Sequence, residues 1–178
     1  MTSRRLPRPV RLGLPALALA LLAGCAPSAG TAMVVDGRRV TEDHLDALAE
    51  GCRTALDGAG TSDQYPDGEV RQAVASWVAQ GLVADALIER ANATVSDADL
   101  QKARAGLRNA DLFTSTADCS EAFMGIVRLT AYVSLEGEQS ARDQASGLRI
   151  EINPRYGAWD ADELTVMGSG SLSGRSEG

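Results

Sequence analysis

Leu45, Leu48, Ala49, Cys52, Ala55 and Leu56 recur in steps of three and four residues. On a helix they form one apolar stripe, which has to be buried against something. Two later segments carry the same period. Val70, Val74, Trp77, Val78, Gly81, Leu82 and Ile88 make a second stripe, and Phe123, Ile126, Val127, Thr130 and Val133 a third. A shorter helix is expected between them. Ser96-Asp97-Ala98-Asp99 is a helix-start signature, with Ser96 capping and Asp99 at the third helical position. It should run to about Asn109, leave residues 110–118 irregular, and be followed by a helix from near Ser120 that continues past Gly137 to about Ala145. Only 4% of residues are aromatic, so the shared core must come mainly from Ala, Leu and Val.

The helices are bracketed by extended segments. Residues 32–35 read as a strand and Asp36-Gly37 as a tight turn. Val40 to His44 opens the first helix, with Thr41 as N-cap and acids facing its positive end. Gly58 and Gly60 end that helix, and residues 59–68 form a loop. Residues 148–153 alternate apolar and polar, the pattern of a half-buried strand, and Pro154 stops it. Residues 155–160 read as a compact turn rich in anchoring side chains, and 164–167 as short and extended. The expectation is a mainly α fold. It has about four helices and a small two-stranded β ribbon joining the N- and C-terminal segments. The domain should cover 33–167, behind a tether over 25–32 and ahead of a disordered Gly/Ser tail over 168–178.

Arg4, Arg5, Arg8 and Arg11 precede an apolar run from Leu12 to Ala23, broken by Gly13 and Pro15. That layout predicts a cleaved export signal over residues 1–24, since the run is too short and interrupted to span a bilayer. Leu22-Ala23-Gly24-Cys25 resembles the bacterial lipobox, which makes Cys25 the expected lipidation site. Residues 1–24 hold four arginines and no acid. Without them the 17 basic and 24 acidic residues become 13 and 24, a net charge of −11. Such a surface repels nucleic acid and anionic lipid, so membrane attachment would come through the lipid anchor. Cys52 and Cys119 remain. In an exported chain an even pair reads first as a disulfide, with two buried thiols or a metal site as the alternatives. A metal site would need further ligands, and His44 is the only histidine.

Val34-Val35-Asp36-Gly37-Arg38-Arg39-Val40-Thr41, a strand end and turn before an acidic helix start, resembles the opening of the chaperone domain of SurA- and PrsA-type foldases. Val95 to Leu100 (Val-Ser-Asp-Ala-Asp-Leu) matches a turn common in those domains. Asn153-Pro154-Arg155-Tyr156-Gly157 followed by Trp159-Asp160 matches the close of small exported relatives from actinobacteria. The resemblance spans about residues 33–167 and implies a lipid-anchored holding or assembly module at the extracytoplasmic face of the membrane. Those foldases insert a parvulin-type prolyl isomerase domain before the final segment. Here only residues 144–147 could stand in its place, and a parvulin site needs more than one histidine. The resemblance therefore implies binding of unfolded or exported polypeptides without isomerase activity.

No catalytic signature stands beside this. His44 has no nucleophile turn to serve and reads as a solvated residue. Asp97 and Asp99 are helix-start acids, and Asp57, Asp63 and Asp67 lack calcium-loop spacing. Gly168-Ser169-Gly170 precedes no helix and cradles no phosphate. No catalytic residue, metal or cofactor is expected. Trp77, Phe113 and Phe123 are candidates to line a groove, with burial in the core as the plainer reading. Arg155, Tyr156 and Trp159 read as structural before partner-binding. The alternative function is an envelope adaptor that reuses the fold for one specific partner or solute.

Overall fold

The computed structural model describes residues 30–168, so the expected export signal, Cys25 and the tail beyond Gly168 lie outside the described residues. Strand β1 (Thr31–Val35) is the middle strand of a three-stranded antiparallel sheet. β2 (Arg38–Thr41) flanks it on one side and β3 (Ile150–Ile152) on the other. Val34 stands opposite Arg39 on one side and Glu151 on the other. The two ends of the domain are therefore joined in one sheet, as the ribbon expectation had it, and β2 adds a third strand. Asp36 and Gly37 have φ of 49° and 85°, the two positive values that a two-residue primed hairpin turn requires. That turn sends the chain back along β1, so Val40 lies in a strand and the helix starts only after Thr41. Thr31, expected in the tether over 25–32, is instead a strand residue exposed by only 2%, and Ala32, within that range but also read as the first residue of the strand, is fully buried in it.

Six α-helices follow among the described residues: α1 (Glu42–Gly58), α2 (Asp67–Ala91), α3 (Asp97–Gly106), α4 (Ala110–Phe113), α5 (Ala117–Glu136) and α6 (Glu138–Ala145). The fold is mainly α, with the long helices where the stripes put them. Thr41 caps α1, its hydroxyl oxygen accepting from the His44 N–H at 3.2 Å. The differences lie at the breaks. α4 is a single turn inside the stretch expected to be irregular, entered through Asn109 at φ 58°. α5 stops at Gly137, whose φ of 85° ends the ladder, so α6 is a separate helix rather than a continuation. The expected turn over 155–160 divides into a 3-10 turn (Pro154–Tyr156) and a strand, β4 (Ala158–Asp160), which pairs with β5 (Thr165–Met167).

α2 is the central helix. Its buried set includes Ala75, Ala79, Val83, Ala84, Ala86 and Leu87 besides Val70 and Val74, so it is covered on several sides rather than along one stripe. Small residues let α5 come close: Gly81 and Gly125 face each other at the crossing, and a Cβ on Gly81 would lie 2.9 Å from the Gly125 Cα. Leu45, Leu56 and Leu87 are fully buried, each contributing about 1.5–3 kcal/mol by leaving water. Tyr132, also fully buried, donates its hydroxyl to Gln144 Oε1 at 2.8 Å and so fixes α6 on α5.

Ser96 and Asp99 form the reciprocal cap that their spacing predicts. Ser96 Oγ accepts from the Asp99 N–H at 3.2 Å, and Asp99 Oδ2 accepts from the Ser96 N–H at 3.0 Å. Ser96→Ala should lower stability by about 1 kcal/mol in urea denaturation. The bond from Ser96 holds the Asp99 carboxyl below its ordinary pKa. A depressed carboxylate stabilises the fold above its unfolded pKa and loses that contribution as pH falls through the folded value. The Ser96→Ala deficit should therefore shrink in acid. A deficit that is constant down to acid pH would detach the cap from Asp99 ionisation.

Candidate functional site

Asn153, Arg155 and Asp160 of the closing segment each have a hydrogen-bonded partner, whereas the Tyr156 hydroxyl and the Trp159 indole nitrogen are buried without one among the described residues. Asn153 donates Nδ2 to Glu42 Oε1 at 2.9 Å, and its backbone N–H bonds the Ala32 carbonyl at 2.8 Å. Asn153 Oδ1 accepts from the Arg155 N–H at 3.2 Å, starting the 3-10 turn in which Pro154 needs no donor. Arg155 Nη1 reaches Glu42 Oε2 at 3.1 Å, so Glu42 in the first turn of α1 holds both residues. Tyr156 is 3% exposed and packs with the core, and burial raises its phenol above the ordinary range against the lowering effect of Arg155. Gly157 has φ 113°, and a Cβ there would lie 2.4 Å from the Met167 carbonyl oxygen. Trp159 packs between the two larger core clusters. Asp160 Oδ1 accepts from the N–H groups of Asp162 and Glu163 and turns β4 into β5. These seven residues fasten the C-terminal segment to α1, β1 and the core.

That β4–β5 hairpin is seated on α2 by a polar row the apolar reading passed over. Gln72, Ser76 and Gln80 stand four residues apart on one helix face. Gln72 donates to the Gly168 carbonyl, Ser76 Oγ lies 2.8 Å from Thr165 Oγ1, and Gln80 Nε2 donates to the Leu164 carbonyl at 3.0 Å. The signal was present in the sequence as three polar residues at helical spacing.

Cys52 of α1 is bonded to Cys119 of α5, across 67 residues of sequence. The thiol-pair and metal alternatives give way to the disulfide. Thr116 Oγ1 donates to the Gly51 carbonyl at 3.0 Å beside it, and a Cβ on Gly51 would lie 2.4 Å from the Asp118 Cβ, so the two helices meet here at backbone distance. His44, at the other end of α1, contacts Glu121 of α5 at 3.1 Å on the surface.

Next to the disulfide a cleft of 280 Å³ opens, lined by Leu56, Tyr65, Val70, Ala73, Trp77 and Phe113, together with Cys52 and Glu69. Trp77 meets Phe113 edge-on at 4.9 Å and Phe123 at 5.3 Å. The three aromatic candidates thus form one cluster with divided roles. Phe123 is buried in the core, while Trp77 and Phe113 are half-buried and line the cleft. A larger, shallower hollow of 560 Å³ runs beside β3 and Trp159, where the outer edge of β3 pairs with no strand among the described residues. The arrangement offers apolar surface and backbone edge, and among the described residues no group of three or more His, Cys, Asp or Glu is placed to hold a metal. No protein family, curated protein or solved structure matches the chain.

Proposed function

We propose that this chain is a lipid-anchored, extracytoplasmic chaperone-like module that binds unfolded or exported polypeptides and does not isomerise prolines. The observation that carries the reading is the aromatic-walled cleft on a cross-braced helical frame. Exposed apolar concavities of this kind take up short apolar stretches of extended chain. The order of motifs shared with SurA-type chaperone domains supports the same assignment, as does the lack of a parvulin segment between α6 and β3. The unpaired β3 edge adds backbone donors and acceptors of the sort an extended client can use. Cys25 supplies the attachment, because a domain of net charge −11 has no electrostatic reason to stay at an anionic membrane.

Two assays test this. At equimolar amounts the protein should suppress aggregation of unrelated denatured proteins, and at catalytic amounts it should leave a proline-limited refolding rate unchanged. Faster refolding would make it an isomerase. Failure to suppress aggregation, with one partner enriched by crosslinking, would make it a dedicated adaptor. Cys25→Ala should move the protein from the membrane to the soluble fraction, and unchanged retention would remove the lipid anchor.

A further inference from the structure

We propose that the cleft beside the disulfide takes one large apolar side chain of an extended polypeptide in which a neighbouring residue is basic. This assignment rests on the polypeptide-binding reading above and names the sequence feature that is read. At 280 Å³ the cleft lies just below the range of about 300–1,000 Å³ typical of small-molecule sites, too small for a helix and suited to a single Leu- or Phe-sized group. Its walls are apolar apart from the Tyr65 hydroxyl and the Glu69 carboxylate. Glu69 is exposed, and no cation among the described residues pairs with it. Asp67 lies outside the cleft, in a separate hollow with Arg53 and Arg71, so Glu69 is the one carboxylate-bearing residue in the lining. A Lys or Arg flanking the arriving apolar side chain finds its complementary charge in the exposed, unpaired Glu69. Because Cys52 is bonded to α5 behind the cleft, the wall is ordered before the client arrives, and binding does not have to order it.

The experiment titrates the purified protein by calorimetry with three short unstructured peptides. One carries a single Phe flanked by Arg, one has Glu in place of that Arg, and one has Ala in place of Phe. The Phe-Arg peptide should bind most tightly. Ala73→Leu, which fills the cleft, should weaken it by about tenfold, the loss typical of a blocked anchor pocket. Glu69→Gln should weaken it by about threefold at low salt and should modestly tighten the Phe-Glu peptide, which loses a like-charge repulsion. If Ala73→Leu fails to fold, Phe113→Leu replaces it and should also weaken the Phe-Arg peptide. Equal affinity for all three peptides, or affinities that ignore both substitutions, overturns the assignment. So does uptake of a fatty acid with no peptide binding, or self-association that Ala73→Leu abolishes. Suppressed aggregation that neither variant changes overturns the cleft assignment alone. Selective Phe-Arg binding without suppressed aggregation supports the cleft and removes only the general holding activity.

Discussion

Gly125→Ala should destabilise the domain by about 3 kcal/mol, near the upper end for overpacking. A Cβ at Gly125 would lie 1.9 Å from the Trp77 carbonyl oxygen and 3.1 Å from the Gly81 nitrogen. Both obstacles are backbone atoms of α2, so no rotamer change can make room. α5 must move away from α2 as a body, and that loosens Val83, Leu87, Val127 and Tyr132 together, all of them fully buried. In a domain of this size the loss should lower the melting temperature by roughly 10 °C. Gly106→Ala is the control, because a Cβ there meets nothing within 4 Å. It should be neutral or slightly stabilising through helix propensity. An unchanged urea midpoint for Gly125→Ala would mean that α2 and α5 cross at a greater distance.

Removing the Cys52–Cys119 bond should be as damaging. The bond closes a 67-residue separation that contains α2, α3 and α4, for which the chain-entropy estimate is roughly 4 kcal/mol, an upper figure. The Cys52→Ala/Cys119→Ala pair should therefore unfold at much lower denaturant than the parent, and reductant should act on the parent in the same direction. With Cys25 replaced, the denatured but unreduced protein should show no reactive thiol. Finding two would show that the cysteines are not joined.

What the sequence revealed here depended on whether burial was one-sided. α1 has water along one face, and its stripe of Leu45, Leu48, Ala49, Cys52, Ala55 and Leu56 is the buried set almost residue for residue. α2 is packed against α1, α5, the first sheet and the β4–β5 hairpin, so its outward polar face largely disappears and the stripe understated its core. Gln80, a polar residue inside that core, became intelligible only once the Leu164 carbonyl lay opposite it. β2 was hidden because Arg38-Arg39-Val40-Thr41 is short and mostly exposed, and strand pairing rather than local preference holds it. α4 escaped because a single turn leaves no period to read. The aromatic cleft was legible only as a list, since Trp77, Phe113 and Phe123 are brought together by helix packing over 46 residues of sequence (123 − 77). The fastening at Asn153 to Asp160 was found by its wording, while its partner Glu42 lies 111 residues away from Asn153.

The central position of β1 also decides how the domain bears load. A pull on the chain ahead of Thr31 acts along a strand held on both sides, by β2 and by β3, so the two ladders resist in shear and their hydrogen bonds share the force. If that grip fails, unravelling runs through α1 only as far as Cys52, where a covalent bond passes the tension to α5. The cleft lies beside that same bond, so a force applied at the cleft enters through α2 and α4, whose residues line it, and meets a force applied ahead of Thr31 at the disulfide.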